Sequence, residues 1–136
     1  MPIEYRIDHE RRLVFARGSG TLADGDFFTY QREVWSRSDV AGYHELVDMT
    51  EVERIVPPSP GRLRDLATLS ASMDSAAPGS KFAIVAPKDL EFGLGRMYEA
   101  YRTLNEQSTK QVGVFRSLAE ALAFLGVGNA GTLQDP

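Results

Sequence analysis

Cysteine is absent from this 136-residue chain, and the sequence contains only two histidines and one tryptophan. Without cysteine there is no disulfide framework, thiolate nucleophile or cysteine-ligated metal. His9 and His44 show no metal-ligand spacing, and Ser19, between two glycines, lacks both the full nucleophile-elbow motif and a nearby histidine. The sequence therefore indicates no catalytic residue, no metal and no cofactor, and we expect a protein that is not an enzyme.

Long apolar runs and clusters of positive charge are also missing. No apolar run approaches the roughly 20 residues that a membrane helix needs. The 15 basic residues are scattered among 19 acidic ones, for a net charge of -4, whereas a nucleic-acid-binding face needs clustered Lys and Arg. The first residues lack the basic and apolar regions of a signal peptide. We therefore expect a cytoplasmic protein with no integral membrane segment and no nucleic-acid partner.

One stretch in the second half of the chain predicts a layered α/β architecture. Residues 82–86 are uniformly apolar, as in a central strand that is covered on both faces. The residues that follow place Leu90, Leu94, Met97 and Tyr101 on one helical face. A strand followed by an amphipathic helix is half of a βαβ unit.

The remaining segments predict the element order ββαβαβαβα. Residues 3–8 alternate between apolar and polar side chains, and residues 13–17 are mostly apolar. We predict that these two segments form an antiparallel hairpin, which ends at the Gly-Ser-Gly segment at 18–20. A short strand at residues 46–50 and a last strand at 110–116 complete the set. We predict a mixed five-stranded sheet, with the hairpin at one edge and parallel strands elsewhere, together with about four helices.

Helix starts are marked by local capping patterns. Ser59, with proline after it, has the pattern of an N-cap and first turn, and Ser117 with Glu120 forms a capping box. The first helix is predicted to begin near Thr21 and to end near Trp35. No linker or repeat divides the chain. Residues 1–126 are thus predicted to form one domain, followed by a flexible C-terminal tail at 127–136.

The ordered features resemble the SpoIIAA-like fold group, which includes STAS domains and SEC14-type lipid-binding domains. More closely, they resemble a family of small bacterial SpoIIAA-like proteins of unsettled function. The most specific part of the resemblance is the pattern Phe-Gly-x-x-Arg-Met-Tyr at residues 92–98. The segments that carry it are residues 5–8, 13–14, 20–22, 46–50, 83–86, 92–98 and 114–121.

The resemblance to STAS domains implies a possible phosphorylation switch. In those domains a strand that ends in Asp is followed by a helix whose first serine is phosphorylated, which changes partner binding. Asp48 matches the strand end, and Ser59 is the nearest equivalent of the switch serine, with Thr50 as a second candidate. The Asp that precedes the family's serine is replaced here by Pro58. The simpler interpretation is that Ser59 acts only as an N-cap.

The glycines at positions 93 and 95 lie where a dinucleotide-binding motif would open a helix. The third glycine of that motif is replaced by Tyr98, and six residues separate the pair from the strand. The sequence therefore argues against a nucleotide cofactor. We expect these glycines to let the start of the helix pack closely on the sheet.

Four residues of the same segment are candidates for binding a ligand or a partner: Phe92, Gly93, Arg96 and Tyr98. Phe92 and Arg96 are four positions apart, so the guanidinium can lie over the ring. An exposed aromatic beside an Arg at a helix N-terminus would suit an anionic or lipid-like ligand. The alternative is that Phe92 tucks under the first turn of the helix.

Taken together, the sequence predicts a non-enzymatic regulatory or binding module. Its ligand is expected to be a protein partner or a small apolar or anionic molecule, and Phe28, Trp35 and Phe92, as surplus aromatics, suggest a homodimer. Two alternatives are a phospho-switch in a sigma-factor or stress relay and a carrier of lipid or another hydrophobic ligand. A carrier requires an apolar pocket between residues 87–95 and the helix that begins near Ser59.

Overall fold

The computed structural model describes residues 2–127. The strands are β1 (Ile3–Asp8), β2 (Leu13–Leu22), β3 (His44–Ile55), β4 (Lys81–Val85) and β5 (Gln111–Phe115). The helices are α1 (Asp24–Trp35), α2 (Pro60–Ser72), α3 (Asp89–Leu104) and α4 (Leu118–Leu125), and a 3-10 turn lies at Ser38–Val40. The predicted order of strands and helices is confirmed. The predicted C-terminal tail lies outside the described residues, apart from Val127.

The five strands form one mixed sheet in which spatial order follows chain order, β1-β2-β3-β4-β5. β1 and β2 are antiparallel, with Ile3 opposite Gly18 and Asp8 opposite Leu13. The other neighbouring pairs are parallel. The predicted hairpin edge and parallel array are confirmed.

Strands β2 and β3 are longer than the sequence patterns predicted. β2 continues through the Gly-Ser-Gly segment at 18–20, where its register against β3 shifts twice. Gly20 has a φ of +65°, which glycine adopts without strain, so the segment forms an irregularity within the strand and does not end it. β3 continues past Thr50, and Glu51 and Glu53 are therefore exposed strand residues.

The sheet is covered on both faces. One face carries α1, α2 and α3, and the strand side chains buried beneath them include Val14, Ala16, Val47, Phe82 and Ile84. The opposite face carries α4, which buries Leu13, Phe15, Leu46, Ala83 and Val85. β4 lies between β3 and β5 and is buried on both sides, as its unbroken apolar run predicted.

The orientation of α3 differs from the prediction. Leu90 and Met97 were placed on the inward face, but they are 49% and 39% exposed. Apolar periodicity misidentified the face because the buried side of this helix includes two charged residues. The buried residues of α3 are Glu91, Gly95, Tyr98 and Arg102.

Candidate functional site

Helices α1, α2 and α3 line a partly open cavity of about 80 Å³ against β3 and β4. A single buried water needs about 10–15 Å³, so the cavity holds about five to eight water-sized groups. It lies between the start of α3 and the start of α2, where a ligand carrier would need a pocket. Its apolar lining consists of Phe27, Val47, Met49, Ile55, Pro58, Leu63, Leu66, Phe82, Ile84, Leu94 and Gly95.

Two local features of the sequence position the helices around this cavity. Ser59 caps α2, since its Oγ accepts a hydrogen bond from the Arg62 N–H at 3.2 Å, which confirms the predicted N-cap. On α3, Gly95 faces the sheet so closely that a Cβ there would lie 3.0 Å from Cγ1 of Val114. Gly95 therefore sets how near α3 approaches β5, as the sequence predicted for this glycine.

The carboxylate of Glu45, at the β3 side of the cavity, is held by three donors. Its Oε1 accepts from Lys110 Nζ at 3.1 Å, and its Oε2 accepts from the Tyr30 hydroxyl at 2.9 Å and from Trp35 Nε1 at 3.1 Å. Burial raises the pKa of Tyr30, with the Glu45 charge adding to it, and burial lowers the pKa of Lys110. With three donors already in place, Glu45 forms part of the cavity wall rather than a free acid or base.

A second buried network lies around Arg102, which is 2% exposed. Its guanidinium donates to Asp74 Oδ2, to the Tyr98 hydroxyl at 2.7 Å and to Ser108 Oγ at 2.8 Å. Asp74 also accepts two backbone N–H groups just before β5. The network joins the end of α2 to α3 and β5, and burial raises the pKa of Tyr98.

Two more polar pairs line the cavity and are likewise engaged with each other. Arg62 Nε donates to Asp24 Oδ2 at 2.9 Å, and the hydrogen bond and charge of Arg62 lower the pKa of Asp24. Ser70 Oγ donates to Gln31 Oε1 at 2.8 Å. These bonds orient the four side chains along the cavity wall.

Glu91 is the exception among the cavity-lining polar residues. It is 5% exposed, it lines the cavity, and no hydrogen bond or ion pair joins its carboxylate to another residue of the range 2–127. Its oxygens are not among the fully enclosed unpaired atoms of that range, so they keep some accessible surface. The other buried charged residues of that range, such as Glu45 and Arg102, have partners. One carboxylate at the cavity is thus left without a partner among the described residues.

The four α3 residues predicted to bind a ligand or partner do not gather in one place. Tyr98 lies inward and lines the cavity, whereas Gly93 and Arg96 are exposed and Phe92 is half-buried. The cation over the Phe92 ring is Arg116, whose Cζ lies 4.0 Å from the centroid, and not Arg96. Their role in binding stays a prediction.

The two predicted phosphorylation sites lie in different surroundings. Ser59 is exposed at the N-terminus of α2. Thr50 is exposed in β3, and its Oγ1 donates to Asp48 Oδ1 at 2.6 Å. A phosphate on Thr50 would lie against that carboxylate and be repelled by it, so the surroundings favour Ser59 of the two.

Two of the three aromatics that suggested a homodimer are buried within the chain itself. Phe28 is 6% exposed and Trp35 is 8% exposed, and the ring of Phe28 lies 4.2 Å from the Arg62 guanidinium. The interpretation of these two as surplus surface aromatics was wrong. The homodimer itself stays a prediction.

Sequence reasoning did not identify Glu45, Glu91, Arg102 or Lys110. A usable signal was present for α3, because Glu91, Tyr98 and Arg102 are seven and four residues apart and so share one helical face with Gly95. Lys110 and Glu45 lie 65 positions apart, and only the sheet topology brings them together.

The part of the chain that the structure describes holds no cluster of three His, Asp or Glu side chains suited to a metal ion. Within the same residues, no helix combines the length and apolar character needed to cross a bilayer.

The sheet and its helices have the SpoIIAA-like fold that the sequence resemblance predicted. The chain is similar to the crystal structure of an uncharacterized protein of the DUF3478 family with a SpoIIAA-like fold, from Shewanella loihica PV-4. The TM-score is 0.56 at 15% sequence identity, over 90% of this chain and 93% of that one. No family model matches the sequence, and no curated protein matches it.

Proposed function

We propose that this protein is a non-enzymatic binding module whose cavity holds a small, mainly apolar ligand. The observation that carries the proposal is the cavity of about 80 Å³ between α1, α2, α3 and the sheet. Sites for small molecules are typically concave and mostly apolar, with a few polar groups. An apolar-walled space of this size gives a hydrocarbon group contacts that it lacks in water.

The engagement of Glu45 and Tyr98 in hydrogen bonds favours binding over catalysis by these two residues. A general base or nucleophile must reach its substrate with free capacity. The Glu45 carboxylate already accepts three hydrogen bonds, and the Tyr98 hydroxyl accepts from a buried guanidinium. These side chains therefore shape and rigidify the walls of the cavity.

An uncharged, mainly apolar probe of matching size tests this proposal. We expect 3-methylbutan-1-ol to shift the NMR signals of cavity residues such as Leu63, Leu66 and Ile84 in a saturable titration. Leu66→Phe, which fills the cavity, should abolish the shifts. Leu69 is on the same helix but does not line the cavity, so Leu69→Phe is the matched control. Absence of saturable shifts in the wild-type protein with this alcohol, and also with the amine and the carboxylate of the same carbon skeleton, would rule the proposal out.

A phospho-switch at Ser59 is the second candidate function. Ser59 is exposed at the start of a 13-residue helix, where a phosphate would meet unpaired backbone N–H groups. The same helix walls the cavity, so modification at its end would act on the binding site. Mass spectrometry of the protein isolated from its own cells tests this, and an unmodified Ser59 under all growth conditions would exclude it.

We also propose that the protein forms a homodimer and is located in the cytoplasm. Light scattering at tens of micromolar protein tests the first, and a monomer there would exclude it. Cell fractionation tests the second.

A further inference from the structure

The unpaired carboxylate of Glu91 indicates the chemistry of the ligand. This inference rests on the proposed function, because it concerns the occupant of the same cavity. Glu91 is 5% exposed and lines the cavity together with Leu94 and Gly95 of the same helix. Within the described part of the chain, no donor or cation lies within hydrogen-bonding or ion-pairing distance of it.

Because the side chain of Glu91 is mostly buried, little water can solvate its carboxylate, and this is unfavourable unless a donor or a cation satisfies it. Glu91 lies in the first turn of α3, where the positive end of the helix dipole favours negative charge. This position explains how the protein tolerates the carboxylate, but it supplies no hydrogen-bond partner. The missing partner is what a ligand can provide.

The positive charge nearest in the lining is not available to Glu91. Arg62 is paired with Asp24 at 2.9 Å and lies over the ring of Phe28. Asp24, Arg62 and Glu91 together leave one uncompensated negative charge at the cavity. An anionic ligand would be repelled by that charge, and a neutral one would leave the charge uncompensated.

We infer that the ligand of this cavity is a small aliphatic amine, bound as its ammonium ion. The ammonium group donates to the Glu91 carboxylate, and the hydrocarbon body lies among Leu63, Leu66, Ile84 and Leu94. The cavity volume of about 80 Å³ limits that body to a short or singly branched chain. The sequence predicted an apolar or anionic ligand, and this inference replaces the anionic group with a cationic one while it keeps the apolar body.

Three probes with one carbon skeleton test the inference: 3-methylbutan-1-amine, 3-methylbutan-1-ol and 3-methylbutanoate. Each is titrated into the full-length protein, and its Kd is measured from NMR shifts at neutral pH. We expect the amine to bind about tenfold tighter than the alcohol or better, as a charge-assisted hydrogen bond does, and the carboxylate to bind weakest. Glu91→Gln should bring the amine to the affinity of the alcohol. Glu99→Gln, on the same helix but outside the lining, should leave the tenfold preference intact.

A stability measurement separates a binding role from a structural one. Because Glu91→Gln removes an unpaired buried charge, it should raise the Tm of the ligand-free protein while it removes amine selectivity. A lower Tm with unchanged amine selectivity would overturn the inference. Equal affinity of the wild-type protein for amine and alcohol would also overturn it and would leave the proposed binding function standing. If none of the three probes binds, both fail.

Discussion

The ammonium of Lys110 lies 3.1 Å from Oε1 of Glu45, and both side chains are almost completely removed from solvent. The same ammonium stands 3.1 Å from the centroid of the Trp35 ring, so the cation has an aromatic face as well as a carboxylate. The pair links the strand that walls the cavity to the approach to the edge strand β5. Buried ion pairs of this kind are unfavourable to break from one side only.

Lys110→Met should therefore destabilise the protein strongly. Removing one partner leaves a buried carboxylate uncompensated, which costs about 3–5 kcal/mol. The double variant Glu45→Gln/Lys110→Met should lose clearly less than the sum of the two single variants, since it removes both charges. Urea denaturation measures each free energy of unfolding. Lys88→Met, at an exposed lysine that contacts only backbone carbonyls, is the control, and additive losses would contradict the coupling.

Two glycines of α3, two residues apart, should respond in opposite ways to alanine. At Gly93 a new Cβ meets nothing within 4 Å, so alanine should stabilise the helix by about 0.5–1 kcal/mol. At Gly95 the Cβ would press on Val114 and Ile84, and overpacking costs about 1–3 kcal/mol. In thermal unfolding, the Tm of Gly93→Ala should therefore be higher than that of the wild-type protein, and the Tm of Gly95→Ala should be lower. The reverse order would mean that α3 is not held close to β5.

His44 should make stability depend on pH near neutrality. Burial, and then the charges of Lys81, Lys110 and Arg12, hold the pKa of His44 below its usual 6.5. Between the two values the unfolded chain binds a proton that the folded chain does not, so the free energy of unfolding decreases as the pH falls through 6.5. The folded state favours the neutral ring because Nδ1 accepts the Lys81 N–H at 2.9 Å.

Denaturation at several pH values measures this dependence. His44→Asn retains an acceptor for the Lys81 N–H. It should reduce the dependence of the free energy of unfolding on pH just below 6.5. His9→Asn, which changes the other histidine, should leave it unaltered. A slope that persists in His44→Asn would assign the effect to another group.

Ser59→Ala should lower the free energy of unfolding by about 1 kcal/mol through loss of the N-cap. Ser59→Asp should restore stability, because a carboxylate caps equally well. Chemical denaturation of the three proteins checks both expectations. Ser117→Ala, at the cap of α4, provides a comparison of the same type. No loss in Ser59→Ala would mean that the serine is free for another role.

The fold was predictable because its strongest signals are local. The apolar run at 82–86, the period-two pattern at 3–8 and the serine caps each act over a few residues, and the structure retains all of them. The boundaries of β2 and β3 were not predictable in this way. Pairing between two parallel strands extended both beyond the segments whose own pattern favours a strand.

The candidate site was less predictable because charged residues occupy buried positions that the apolar pattern does not mark. Glu91 and Arg102 occupy the inward face of α3 while Leu90 and Met97 face solvent. A charged residue inside is stable only with a specific distant partner, such as Asp74 for Arg102. Such partners are set by topology, which a single sequence does not display.

The strand order also has a consequence for synthesis on the ribosome. Because the strands join the sheet in the order in which they are made, every residue lining the cavity, up to Tyr98, is synthesised before Lys110. Until then Glu45 lacks its cation, and we expect its unpaired charge to oppose burial of the carboxylate in the nascent chain. Emergence of Lys110 and β5 would remove that unpaired charge and cover the open edge of β4 together. A nascent chain of which residues 1–108 have emerged from the ribosome should accordingly be cut rapidly by protease, and one of which β5 has also emerged should resist.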